Sequence, residues 1–103
     1  MSYPVTISGC FSYNSEEEVQ QALDMLRDEI ANPPQRDVNI LVEDNFVLEP
    51  FTISIDYTTF MPSSACYGCE RVIKKMSAKA IAGEIVINFD GEKEVVFAGR
   101  GWS

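Results

Sequence analysis

The sequence predicts an α+β domain in which two helices cover one face of an antiparallel sheet. Three observations lead there. Apolar residues recur at helical spacing in two windows, 16–31 and 65–80. They alternate with polar residues in the segments between and after those windows. The last two alternating segments are joined through Asp90-Gly91, a dipeptide typical of tight hairpins. A length of 103 residues suits one domain, spanning 1–103.

The first strand is expected over Val5 to Tyr13, where Val5, Ile7 and Phe11 alternate with polar neighbours. Ser15 then opens a capping box with Glu18. The hydroxyl can accept from the Glu18 amide, and the three glutamates 16–18 complement the positive end of a helix dipole. Val19, Ala22, Leu23, Leu26 and Ile30 form the apolar stripe of a helix from Glu16 to Ala31, which Asn32-Pro33-Pro34 stops.

Two strands should follow. Val38, Ile40 and Val42 alternate with Asn39 and Leu41, and Glu43-Asp44-Asn45 reads as a turn. Phe46 to Tyr57 reads as one longer strand, with Phe51, Ile53, Ile55 and Tyr57 on one face. Pro50 has no N–H for a ladder, so it should mark a bulge or an edge. After Pro62-Ser63-Ser64 comes a second helix, Ala65 to Ala80, with Cys69, Val72, Ile73, Met76 and Ala80 as its stripe. Lys74, Lys75 and Lys79 lie toward its C-terminal half, where cations are favoured.

The hairpin joins Glu84–Phe89 to Lys93–Ala98. A three-residue loop would match Ile85 with Phe97 and Ile87 with Val95, gathering the large apolar groups on one face and leaving Val86 and Val96 on the other. That register is expected over the two-residue Asp90-Gly91 turn. Strand, helix, strand, strand, helix, strand is the ferredoxin-like βαββαβ order, here with an added C-terminal strand.

Composition narrows the function classes. Sixteen acids against eight bases give a formal charge of −8, which disfavours nucleic acid or an anionic membrane as a direct partner. The charge is uneven: residues 1–60 carry a net −9, whereas 61–103 carry +1. Histidine is absent, and with it the commonest general base and the pH switch. The N-terminus has no basic and apolar leader pattern, and no run approaches the roughly 20 apolar residues of a membrane span. Three cysteines, Cys10, Cys66 and Cys69, cannot all pair within the chain and fit a reducing cytoplasm.

Cys66-Tyr67-Gly68-Cys69 at a helix start resembles the thioredoxin-like redox motif, in which the helix dipole favours a thiolate. The resemblance is confined to this turn. Ala65 replaces the usual aromatic residue, Tyr67-Gly68 is not Gly-Pro, and no proline follows Pro62 to serve as that family's cis-proline. Packing is the alternative, since Cys66 and Cys69 fall on the same face as Ile73 and Met76. One Cys-x-x-Cys pair without histidine is a poor zinc set, so no metal or cofactor is expected. A cysteine nucleophile would lack its base. Gly99-Arg100-Gly101 lacks the strand-then-helix setting of a phosphate loop. No enzyme is expected.

The acidic part is the more informative feature. Its functional reading is a docking face for a basic protein; its plain reading is a solvated surface. An acidic, histidine-free single domain of this kind resembles the immunity proteins of bacterial toxin systems and other acidic inhibitors of nucleic-acid-binding proteins. That resemblance implies a basic toxin, such as a nuclease, as partner. Its active site would be occluded by Asp24, Asp28, Glu43, Asp44 and Glu49. Trp102 is the added hot-spot candidate, with core closure as its alternative, and Phe60 and Met61 invite the same two readings. Two rivals remain: a structural module that self-associates, as a homodimer, through an open sheet face or edge, and a thiol-redox or metal protein using Cys66 and Cys69.

Overall fold

Alternation along five segments builds one antiparallel sheet, and two amphipathic helices close one of its faces. The computed structural model describes residues 2–31 and 41–97. In chain order it contains β1 (Tyr3–Ser12), α1 (Glu16–Ala31), a 3-10 turn (Glu43–Asn45), β2 (Phe46–Leu48), β3 (Thr52–Met61), α2 (Ser63–Ser77), β4 (Ala82–Phe89) and β5 (Glu92–Phe97). The strand order is β2-β3-β1-β4-β5, which is the ferredoxin-like α+β arrangement with β5 added outside β4.

Register follows the pleat. Ile7 lies between Tyr57 on β3 and Ile87 on β4, and Phe11 faces Ile53. These residues share the covered face with Val5, Ile55 and Ile85, and they meet Val19, Leu23 and Leu26 of α1 and Cys69, Val72, Ile73 and Met76 of α2 in one core. The opposite face is mostly small and polar: Thr6, Ser8, Cys10 and Ser12 from β1 beside Ser54, Asp56 and Thr58 from β3. Beyond β1, the Tyr13 hydroxyl donates to the Met76 carbonyl at 3.1 Å, tying the end of the strand to the end of α2. The close approach of β1 and β4 requires a glycine at position 9. Its φ is +134°, and a Cβ there would stand 2.2 Å from the Glu84 carbonyl oxygen.

Helix α1 has the expected bounds, and the Glu18 amide donates to Ser15 Oγ at 3.2 Å. Its stripe differs at one end. Ile30 is 42% exposed, whereas Glu29 is 4% exposed and turned inward. The Glu29 carboxylate accepts from Arg71 Nη2 at 3.0 Å and from Lys75 Nζ at 2.7 Å, so cations of α2 take the place an apolar side chain would have filled. Helix α2 buries its expected stripe but runs from 63 to 77 rather than 65 to 80.

Three further expectations are corrected. The strand expected over Phe46–Tyr57 is a hairpin: Glu49 and Thr52 exchange backbone hydrogen bonds across Pro50-Phe51. Pro50 is therefore a turn residue, not a bulge or edge residue, and Phe51 is 53% exposed rather than on the inner face. β3 also reaches further than expected, taking in exposed Phe60 and buried Met61. Of the strand expected over Val38–Val42, residues 38–40 lie outside the described residues. Leu41 is buried and Val42 exposed, and neither is in a strand. Finally, β4 and β5 join by the two-residue turn. Asp90 and Gly91 have φ of +50° and +90°, the conformation whose twist matches a hairpin, and the Gly91 N–H donates to Asn88 Oδ1. The pairs are Ile85 with Val96, Val86 with Val95, and Ile87 with Glu94, so buried Val96 shares the covered face with Ile85. Glu94 is accommodated there because it stays exposed at the edge strand, where its carboxylate reaches Lys74 of α2.

Candidate functional site

The burial of Val19, Ala22, Leu23 and Leu26 fixes the rotation of α1 and leaves Asp24, Arg27 and Asp28 outward. The 3-10 turn sits against this side of the helix. It is closed by the Asn45 side chain, whose Oδ1 accepts from the Val42 N–H at 2.8 Å, while the Asn45 N–H donates to the Val42 carbonyl at 3.0 Å. The turn brings Glu43 onto Arg27, and the same guanidinium pairs with Asp24 at 3.2 Å. The hydrogen bond from Arg27, followed by its charge, holds the Glu43 carboxyl below the usual carboxylate range. Asp28 lies one helical turn after Asp24, and Asp44 is exposed next to Glu43. Two of the expected partner-binding acids, Asp24 and Glu43, thus pair with one arginine, and the chain neighbours Asp28 and Asp44 are exposed next to them, which leaves a local excess of negative charge.

Glu49 is not part of that group. It is exposed at the β2–β3 turn, near Glu16 and Gln20 at the start of α1. From there Asp24 is about 12 Å along the helix, at 1.5 Å per residue. Trp102 lies outside the described residues.

Sequence periodicity does not find the apolar part of this surface. Val42, Val47, Leu48 and Phe51 are all exposed, and they occupy the segment that carries Glu43, Asp44 and Glu49. β2 is an outer strand of the sheet, so its side chains have less to pack against. Apolar groups bordered by charged residues are the usual make-up of a protein-binding patch. The available signal was the brevity of the segment between the 3-10 turn and Pro50.

The thiols are placed differently from a redox pair. Cys66 is 8% exposed and Cys69 is fully buried, both on the core face of α2. Burial, and then the charge of Glu70, push the Cys66 thiol up, away from a reactive thiolate. Cys10 is the exposed cysteine, on the open face of the sheet. Among the described residues no cluster of three or more metal-ligating side chains occurs, and no helix is long and apolar enough to cross a membrane.

A second concavity lies on the other flank. Between them, α2 and the β4–β5 hairpin leave a cleft of about 170 Å³. Ile87 and Phe89 line it from the sheet, Cys66 and Tyr67 from the helix, and Glu70, Glu92 and Glu94 supply carboxylates. Lys74 pairs with Glu70 at 2.7 Å and stands 3.6 Å from Glu94.

No family model, no curated protein and no solved structure is significantly similar to this chain.

Proposed function

We propose that this chain is a non-catalytic protein-binding module that docks a basic partner through the acidic side of α1 and the 3-10 turn. The observation that carries the proposal is the pairing of Arg27 with Asp24 and Glu43, flanked in the chain by exposed Asp28 and Asp44, in a region whose 42–51 segment also exposes Val42, Val47, Leu48 and Phe51. The carboxylates supply long-range attraction and orientation, and the apolar groups supply contact area once solvent is expelled.

Within that class we propose an inhibitor or immunity protein for a basic toxin such as a nuclease. A surface that binds a polyanion is cationic, and carboxylates laid across it occlude the substrate site by charge and by bulk. A cytoplasmic location belongs to the same proposal and is supported by the three free thiols.

The test begins with a tagged pull-down from the native lysate, washed at low and at high salt. Association kinetics of the recovered partner follow. Replacing Asp24, Asp28, Glu43 and Asp44 together by their amides should slow association by about tenfold at low salt and flatten its salt dependence. An unchanged association rate would remove this surface as the binding face. The self-associating alternative draws on the same exposed Val47 and Leu48 at the sheet edge. A mass that rises with concentration, with no partner in the lysate, would favour it.

A further inference from the structure

We infer that the cleft between α2 and the β4–β5 hairpin is an anchor pocket for a single arginine side chain presented by the basic partner. The inference rests on the protein-binding proposal above but concerns a separate surface.

Size is the first reason. A volume of about 170 Å³ is close to that of a cavity that holds one benzene, about 150 Å³. It falls short of the roughly 300–1,000 Å³ that encloses a nucleotide or another drug-sized molecule. A cleft of that volume matches a single side chain.

The lining sets the chemistry of that side chain. Ile87 is buried and Phe89 half-buried, and the Phe89 ring is backed by Tyr3 at 5.0 Å between centroids, so the inner surface is apolar and held in place. Tyr67, at 64% exposure, offers a second ring at the mouth. Three carboxylates adjoin these rings. Lys74 already bridges toward two of them, which shows that Glu70 and Glu94 stand close enough to share one cation. Glu92 has no ion pair among the described residues. Lys93 belongs to the alternate side of β5 and adjoins the cleft as well.

An apolar stem, aromatic side chains and a rim carboxylate without an ion pair among the described residues together select a planar, delocalised cation on an aliphatic chain. Arginine has that form. It stacks on rings and presents two parallel N–H donors to one carboxylate, whereas the lysine ammonium is a compact and more strongly hydrated charge.

The experiment uses the full chain and no protein partner. N-acetyl-arginine amide is titrated while backbone amide resonances are followed by two-dimensional NMR. Shifts should concentrate at Tyr67, Glu70, Phe89, Glu92 and Glu94, saturating with a Kd on the order of 10 mM, as one anchoring side chain allows. N-acetyl-citrulline amide, of the same shape without the charge, should leave these resonances in place, and N-acetyl-lysine amide should bind roughly fivefold more weakly. In a Glu92→Gln, Glu94→Gln variant whose spectrum retains native dispersion, arginine binding should weaken by about tenfold.

Equal shifts from the citrulline amide would overturn the inference, as would shifts scattered over all acidic residues or no shifts at all. Any of these would leave the α1 proposal standing, since association kinetics test that surface alone. Cleft shifts that persist when Asp24, Asp28, Glu43 and Asp44 are replaced would support the pocket even if the α1 face proved inert.

Discussion

Replacing Glu29 by glutamine tests how the two helices are held together. The carboxylate is 4% exposed. It receives both Nε and Nη2 of Arg71, at 3.3 and 3.0 Å, and the Lys75 ammonium at 2.7 Å. Removing one partner of a fully buried ion pair costs about 3–5 kcal/mol, because the remaining charge is stranded away from water. Here the stranded groups are the cations, and their side chains are 25% and 51% exposed. They can rehydrate, so the expected loss is smaller, about 1–3 kcal/mol. For a domain of this size that lowers Tm by roughly 5–15 °C. The pH dependence is the sharper readout. The hydrogen bond from Arg71, ahead of those from Lys75, depresses the folded-state pKa of Glu29. Its contribution is therefore fully present above the unfolded value of about 4.3 and is lost as pH falls through the lower folded value. Urea unfolding of wild type and Glu29→Gln should differ at pH 7 and converge below about pH 4. Two stability curves that stay parallel from neutral to acid pH would refute the ion-pair account and leave side-chain packing as the cause.

Two further outcomes follow from the fold. Gly9→Ala places a Cβ 2.2 Å from the Glu84 carbonyl at a φ of +134°, so chemical denaturation should show a loss of about 3 kcal/mol; a change within about 0.5 kcal/mol would mean that β1 and β4 can separate there without penalty. Among the thiols, exposed Cys10 should react promptly with an aromatic disulfide reagent, while Cys66 and Cys69 wait for unfolding. Fast reaction persisting in Cys10→Ser would show that the α2 pair is accessible after all.

The parts of the fold legible in the sequence are those set by local spacing. The bounds of α1, the stripe of α2 and the alternation of β1 each follow from residues a few positions apart, and together they carry the strand–helix order into the observed topology. The errors have a common source in interactions that local spacing does not encode. A helical wheel puts Ile30 inside, yet the partners that draw Glu29 inward lie 42 and 46 residues away. Phe46–Tyr57 reads as one strand because Phe51 continues the alternation, although Pro50 was the sign of a turn. In the hairpin, pairing the largest apolar groups suggested a longer loop. The left-handed conformations of Asp90 and Gly91 decide for the short one, and Val96 then supplies the buried contact. The acids of α1 and the 3-10 turn were visible as charge. Their convergence on Arg27 was not, and neither was the cleft, whose walls come from segments more than 15 residues apart.

The charge layout of the helical side says what kind of basic partner would fit. Across the sheet from β2 to β5 are four strand spacings, about 19 Å. At one flank stand the acids around Arg27; at the other, Glu70, Glu92 and Glu94 surround the cleft. Between them α2 presents Arg71 and Lys75, both engaged with Glu29, while Lys74 stands at the cleft with Glu70 and Glu94. A uniformly basic surface would meet these cations directly and gain little. On the proposed reading, the complementary surface carries positive charge at two separate places, with a neutral stretch over α2. An interface of standard size, roughly 800 Å² per partner, spans that width of sheet. If the chain docks a basic protein as proposed, repulsion from the middle would work with attraction at the two flanks, and this combination would separate one basic protein from the many others that a bare charge of −8 would attract.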